Sequence, residues 1–228
     1  MVARPRGAKS KGPAGGSPGP AQAPGGEPAL SLERIVATAV DLLDAEGVDG
    51  LKMRRLADRL GAGAMSLYWH VASKEAVFDL ALDRVLAYRA PPQLTGPEGW
   101  RGEVVHMLED WRESMLRHPW SASLLPRRAL GQNILMRLEL LGRTLTRAGV
   151  AEADLNGAIW SLWNYVIGAT ITRASFDLSD DDRAAGQQRL TSEAYPTIER
   201  SRLLLDNDWD GAFRKGLDFL LDGLVAGG

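Results

Sequence analysis

The chain has no cysteine among its 228 residues. That excludes a disulfide frame, a thiol nucleophile and a thiolate-bound metal. Histidine is nearly as scarce, with only His70, His106 and His118. No stretch approaches the ~18 consecutive apolar residues of a membrane-spanning helix, and the first residues lack the apolar segment of a secretory signal. A cytoplasmic protein without a membrane partner is expected. A large excess of one charge is also missing. The formal net charge of −2 rules out a uniformly basic nucleic-acid binder but leaves room for a local basic patch. Alternating strand patterns and internal repeats are absent too. What recurs instead is apolar spacing of three and four residues, so the fold class expected is all-α.

Residues 1–28 carry six of the 12 prolines and seven of the 25 glycines, with almost nothing large and apolar. Such a segment buries too little surface to offset the entropy of ordering, and it reads as a disordered, mildly basic tail. A first helix starts after Ser31, a plausible N-cap with Glu33 in the first turn. Leu32, Ile35, Val36, Ala39, Val40, Leu42 and Leu43 recur along it at helical spacing, and Gly47 stops it. Short helices follow at about 53–60 and 64–70, then one capped by Ser73. The segment "APPQLTGPEG" (90–99) breaks the pattern. It divides a unit of residues 29–90 from one of residues 91–228. Helices are expected beyond it at about 100–117 (stopped near Pro119), 131–147, 152–175, 192–205 and 208–225. "SDDDRAAGQQ" (179–188) reads as a polar loop or short solvated turn.

Two short helices joined by Gly61-Ala62-Gly63 make a helix-turn-helix, whose second helix offers its first residues to base edges in the major groove. Charge agrees locally: Lys52, Arg54, Arg55, Arg59 and Lys74 stand against Asp58, a balance of +4 between Leu51 and Lys74. The stretch "GLKMRRLADRLGAGAMSLYWHVASKEAVFDLAL" resembles the DNA-binding domain of the tetracycline-repressor (TetR) family of transcription regulators. The run Leu67-Tyr68-Trp69-His70-Val71, with Lys74 three residues on, carries most of the likeness. The resemblance implies an N-terminal three-helix DNA-binding domain followed by a helical ligand-binding and dimerisation domain. It also implies that Ala64, Met65 and Ser66 face bases, that Tyr68, His70 and Lys74 contact phosphates, and that Trp69 mostly packs. Lys52 stands where the family usually has a capping threonine and becomes a candidate phosphate contact. Ala64 and Met65 can touch thymine methyl groups but cannot make bidentate contacts, so Ser66, Arg54 and DNA shape are expected to carry more of the specificity.

The helix at 152–175 is apolar on more than one side, which a partner subunit would explain. With the helix at 208–225, where Gly216 and Gly223 permit close approach, it forms the expected homodimer interface. The family layout further implies an effector pocket lined by Met107, Trp111, Leu141, Trp160 and Asn164, with Asn164 as its buried polar handle. Glu103, His106 and Glu109 lie on one helix, but no second Glu-x-x-His segment accompanies them. No metal, cofactor or catalytic residue is expected, and neither is an enzyme. The expected function is that of a repressor released from palindromic double-stranded operator DNA by a small apolar or aromatic molecule. A ligand-dependent activator and an all-α scaffold without DNA function are the alternatives.

Overall fold

The computed structural model describes residues 30–88, 99–128, 130–176, 179–189, 194–201 and 208–225. The proline-rich tail and most of the junction segment fall outside them. The described residues form helices and no strand. They are α1 (Leu32–Gly50), α2 (Met53–Arg59), α3 (Ala64–Leu67), α4 (Lys74–Val85), α5 (Gly99–Arg117), α6 (Pro119–Leu124), α7 (Gln132–Arg147), α8 (Glu152–Ser175), α9 (Asp180–Arg189), α10 (Pro196–Ser201) and α11 (Trp209–Val225).

Local chemistry sets the boundaries. The Ser31 hydroxyl accepts the Arg34 N–H at 3.3 Å and the Ser73 hydroxyl accepts the Ala76 N–H at 3.1 Å, so α1 and α4 are side-chain capped. Gly47 interrupts α1 at φ +68°, a left-handed conformation that glycine adopts without strain. Three expectations need correction. Pro119 does not merely end a helix: it opens α6 from its first turn, where its missing N–H costs nothing. The Asp180 run is a helix, not a loop. The helix expected at 192–205 spans Pro196–Ser201, and its outer residues lie outside the described ones apart from Ala194 and Tyr195, which precede it.

One apolar core runs through the molecule. Ile35, Ala39, Leu42 and Leu43 of α1 meet Leu56 and Ala57 of α2, Leu67 of α3, and Val77, Phe78, Ala81 and Leu82 of α4. Leu32 stays outside, exposed. The core continues through Leu86 to Leu108, Trp111 and Met115 of α5, Leu141 and Leu145 of α7, Leu162 and Val166 of α8, and Phe213, Leu217 and Leu221 of α11. Tyr165 packs α8 on α11: its ring stacks on Phe213 at 5.3 Å and its hydroxyl donates to the Phe213 carbonyl at 2.8 Å. A side chain at Gly216 would collide with Tyr165. The close approach that Gly216 permits is therefore within the chain, whereas Gly223 is exposed.

Polar contacts fix the first four helices to the rest. Asp44 of α1 accepts from Nδ1 of His118 at 2.8 Å and from the indole N–H of Trp120 at 2.7 Å. Helix α4 is held along one face, at positions four and three residues apart. Asp79 takes Nε of Arg128 at 2.7 Å. Asp83 accepts the backbone N–H groups of Asn133 and Ile134 at 2.9 and 3.2 Å, so α4 supplies the N-cap that α7 lacks in its own sequence. The Leu86 carbonyl, at the C-cap of α4, receives Nη2 of Arg137 at 3.1 Å. Asp83→Ala should lower the unfolding free energy by about 1–2 kcal/mol, the usual worth of a lost N-cap. Asp41→Ala, at an exposed site on α1, should change it by less than about 0.5 kcal/mol. Urea denaturation of both variants checks this.

Candidate nucleic-acid interface and effector cavity

The turn between α2 and α3 needs Gly61, whose φ is +64°. It sends α3 away from α2, and Leu67 and Val71, both buried, anchor that short helix on the core. Between and before these anchors the surface is open. Met65 is 75% exposed and Ser66 is exposed, while Ala64 is half-buried. Tyr68 and His70 are exposed on the turn that follows. Trp69 departs from expectation. It does not pack: at 86% exposed it is the most open of the large apolar side chains described. The inward positions are Leu67, the last residue of α3, and Val71, four residues on in the turn that follows, and Trp69 falls midway between them.

The basic residues sort into two groups. Arg55 and Arg59 both approach Glu46 at the end of α1, Arg59 at 3.7 Å, so that carboxylate offsets their charge. Lys52, Arg54 and Lys74 have no carboxylate partner among the described residues, and Lys74 only lies over the Phe78 ring at 5.2 Å. Of the five cations of this stretch, the three without a carboxylate among the described residues are thus the three expected to contact DNA. Glu46 was not recognised there as the residue that removes the other two. Lys52 caps α2 by position only and gives it no side-chain hydrogen bond.

The five expected effector contacts do not line one cavity. Met107, Trp111 and Leu141 are buried together in the core. Trp160 is 53% exposed and Asn164 is also exposed, both on the far side of α8 from Ala158, Leu162 and Val166. Asn164 is therefore not a buried polar handle within one chain. Open space lies next to the core instead, in a groove of about 820 Å³ between α5, α7 and α8. Leu138, Gly142, Leu155 and Ile159 give it apolar walls, and Glu103, which receives Thr144 and Arg147, makes its rim polar. Sequence reasoning also passed over Arg137, the most deeply buried charged group among the described residues. It is fully enclosed. It donates to the Met107 carbonyl at 2.9 Å and to Asp110 at 2.8 Å, and its guanidinium carbon lies 4.7 Å from the Tyr88 ring and 5.2 Å from the Trp111 ring. Burial pushes its pKa below the usual arginine range, against the opposing pull of Asp110.

Comparison with known proteins agrees with this layout. The family model described as bacterial regulatory proteins of the tetR family matches residues 35–81, and the one described as tetracyclin repressor-like C-terminal domain matches residues 91–227. The chain belongs to the TetR family. An HTH-type transcriptional regulator of Saccharopolyspora erythraea is 38% identical over 88% of this chain and 86% of its own. Among solved structures, the TetR-family protein ActR of Streptomyces coelicolor in complex with actinorhodin superposes with a TM-score of 0.75 at 29% identity, covering 87% of this chain and 96% of that one. BioQ with its double-stranded DNA operator does so at 0.64 and 27% identity, covering 87% and 99%. TetR proteins are transcriptional regulators, not enzymes. Among the described residues, no helix is long and apolar enough to cross a membrane.

For a TetR head with this surface, contacts that position and contacts that read should separate by mutation. Lys74→Ala and Tyr68→Phe should weaken binding about evenly across duplex sequences, and Lys74→Ala should reduce the salt dependence of log K by about one ion. Ser66→Ala should instead change which sequence is preferred, with about 1–3 kcal/mol at the affected base pair. Titrations against a panel of duplexes at several salt concentrations distinguish the two.

Proposed function

We propose that the chain is a homodimeric repressor that binds a palindromic operator through α3 and its flanking cations, and that a small apolar or aromatic effector releases it. The observation that carries this reading is the head itself. Its surface of half-buried Ala64 and exposed Met65 and Ser66 lies in the same short stretch of chain as Lys52, Arg54 and Lys74, which have no carboxylate partner among the described residues. Lys74 begins α4, whose other end is tied into the core. In the proposed arrangement residues 29–90 read DNA and residues 91–228 sense and dimerise, in the cytoplasm. Tyr68, His70 and Lys74 hold phosphates, and Trp69 lies against the sugar-phosphate backbone, where its exposed ring gains cover.

Two features support the dimer. The outer face of α8 offers Gly157, Trp160, Asn164, Gly168 and Ile171, and α11 offers Phe219 at 64% exposure, with Gly223 beside it. An isologous two-fold through these faces covers both at once and buries Asn164 beside its symmetry mate, where its amide finds a partner. It also sets two α3 helices to meet half-sites one DNA turn apart, roughly 34–36 Å. The effector would enter the groove beside α7, against Leu138, Gly142, Leu155 and Ile159, and ActR holding actinorhodin on the same fold supports that choice. An effector shifts the equilibrium only by its differential affinity for the two head spacings, and α4 runs from Lys74 to α7, the helix that lines the groove. It spans about 18 Å at 1.5 Å per residue.

Selection of bound duplexes from random DNA tests the reading. Palindromic sequences with half-sites one turn apart are expected, and recovery of no preferred sequence would refute it. Phe219→Glu should turn the dimer into a monomer by analytical ultracentrifugation and weaken binding to the selected duplex at least tenfold, an estimate of about 1.4 kcal/mol or more.

A further inference from the structure

The two most exposed large apolar side chains among the described residues are Trp69, at 86%, and Met65, at 75%. Trp69 lies in the turn after α3, so Met65 is the large apolar group that α3 itself presents. Its own domain does not cover it. Met53 and Ala64 pack against the core and Leu67 is buried in it, whereas Met65 is not among the side chains packed there. Leu67 anchors α3, and Met65 adds no core contact to that anchor. A long apolar side chain left in water forgoes the stabilisation that burial brings. The surroundings say what kind of partner supplies that burial. The stretch from Leu51 to Lys74 carries a balance of +4, so the surface to which Met65 belongs attracts a polyanion.

The rest of α3 narrows what can be read. From Gly61 to Leu67 the chain runs Gly-Ala-Gly-Ala-Met-Ser-Leu. It holds no Asn, Gln, Arg or Lys to pair with a purine through two hydrogen bonds, and no Asp or Glu to accept from cytosine. Ser66 brings one hydroxyl, which meets a donor or an acceptor alike. One group on the major-groove edges of the bases is apolar, the C5 methyl of thymine. A methionine suits it. The side chain is unbranched and polarisable, and it adapts its shape to the surface it meets.

We propose that Met65 is a specificity-determining residue of the head, and that it reads the C5 methyl group of a pyrimidine, in thymine or in a C5-methylated cytosine. This rests on the operator-binding reading given above and names the chemistry of the bases read. The contact takes the thioether and the methyl group out of water together. Its contribution is hydrophobic and depends little on salt, unlike the phosphate contacts of the neighbouring cations. A palindrome presents the methyl once in each half-site, so a dimer squares the discrimination. Methylation of a cytosine at the same place supplies the group without altering base pairing. The head therefore distinguishes a methylated from an unmethylated duplex at that position.

Deoxyuridine in place of thymine removes the methyl and keeps every hydrogen-bonding group. Each thymine of the selected duplex is replaced in turn, and binding of the purified full chain is followed by fluorescence anisotropy. At the position that Met65 reads, the wild type should bind about fourfold more weakly for one methyl lost, about 0.8 kcal/mol, and about sixteenfold more weakly with both half-sites changed. With cytosine at that position, 5-methylcytosine should bind more tightly than cytosine by a similar factor. Met65→Ala should respond to either change by less than about twofold. Its side chain is exposed, so the variant should unfold close to the wild-type temperature, and a thermal melt checks that it does. No position at which the methyl matters, no gain from 5-methylcytosine there, or a response that survives Met65→Ala would each overturn the assignment and leave the repressor reading standing. A chain that selects no duplex loses that reading and the assignment with it.

Discussion

The burial of one guanidinium constrains the whole arrangement. An arginine taken out of water costs several kcal/mol unless nearly every N–H is met, so the elements around Arg137 must come together with their acceptors aligned. The end of α4, the middle of α5 and the first half of α7 converge there, with the Tyr88 and Trp111 rings close by. Once Arg137 is satisfied, α4 has little freedom at its C-terminal end. Asp83 and Asp79 then fix its remaining length. The position of the reading surface follows, because Lys74 and the Ser73 cap begin the same helix. A head of short helices, one of them only four residues long, gains a defined orientation from contacts made far from the DNA side.

This architecture gives the surface and the interior different tasks. The surface offers α3 and, near it in the chain, cations with no carboxylate partner among the described residues. The interior contains donors with no acceptor among those residues. The first kind is idle in isolation and becomes useful when DNA of matching chemistry arrives, and the second is costly. The exposed face of α8 carries an amide, small residues and a tryptophan that its own chain leaves open, a face suited to the second copy proposed for it.

Much of this was legible in the sequence. Helical spacing located α1, α4, α5, α7, α8 and α11, and capping serines and glycines marked several ends. The helix-turn-helix and its free cations were visible because motif and charge coincide over a short stretch. Other features were not. Pro119 was read as a stop because proline excludes the residues before it from a helix, yet the same ring suits a helix start. The Asp180 run has no apolar stripe to signal a helix. Trp69 was assigned to packing by family likeness, although its offset from Leu67 and Val71 places it on the outer side. Asn164 was assigned to a pocket in the same way, four residues from Trp160 on a line that misses Ala158, Leu162 and Val166. Arg137 was invisible for a deeper reason. A charged residue in an amphipathic helix reads as solvent-facing, and its acceptors come from residues distant in sequence.

The cap that Asp83 lends to α7 has a consequence for how the chain is built. During synthesis Asp83 leaves the ribosome well before residues 132–134, and N-terminal units tend to fold first. The acceptor is thus already in place when the first turn of α7 appears with its unmet N–H groups and no cap of its own. The head then acts as a template on which the sensor domain begins to fold. A chain whose head is slow to form would stall at α7, with the apolar faces of α5 and α8 left open to aggregation.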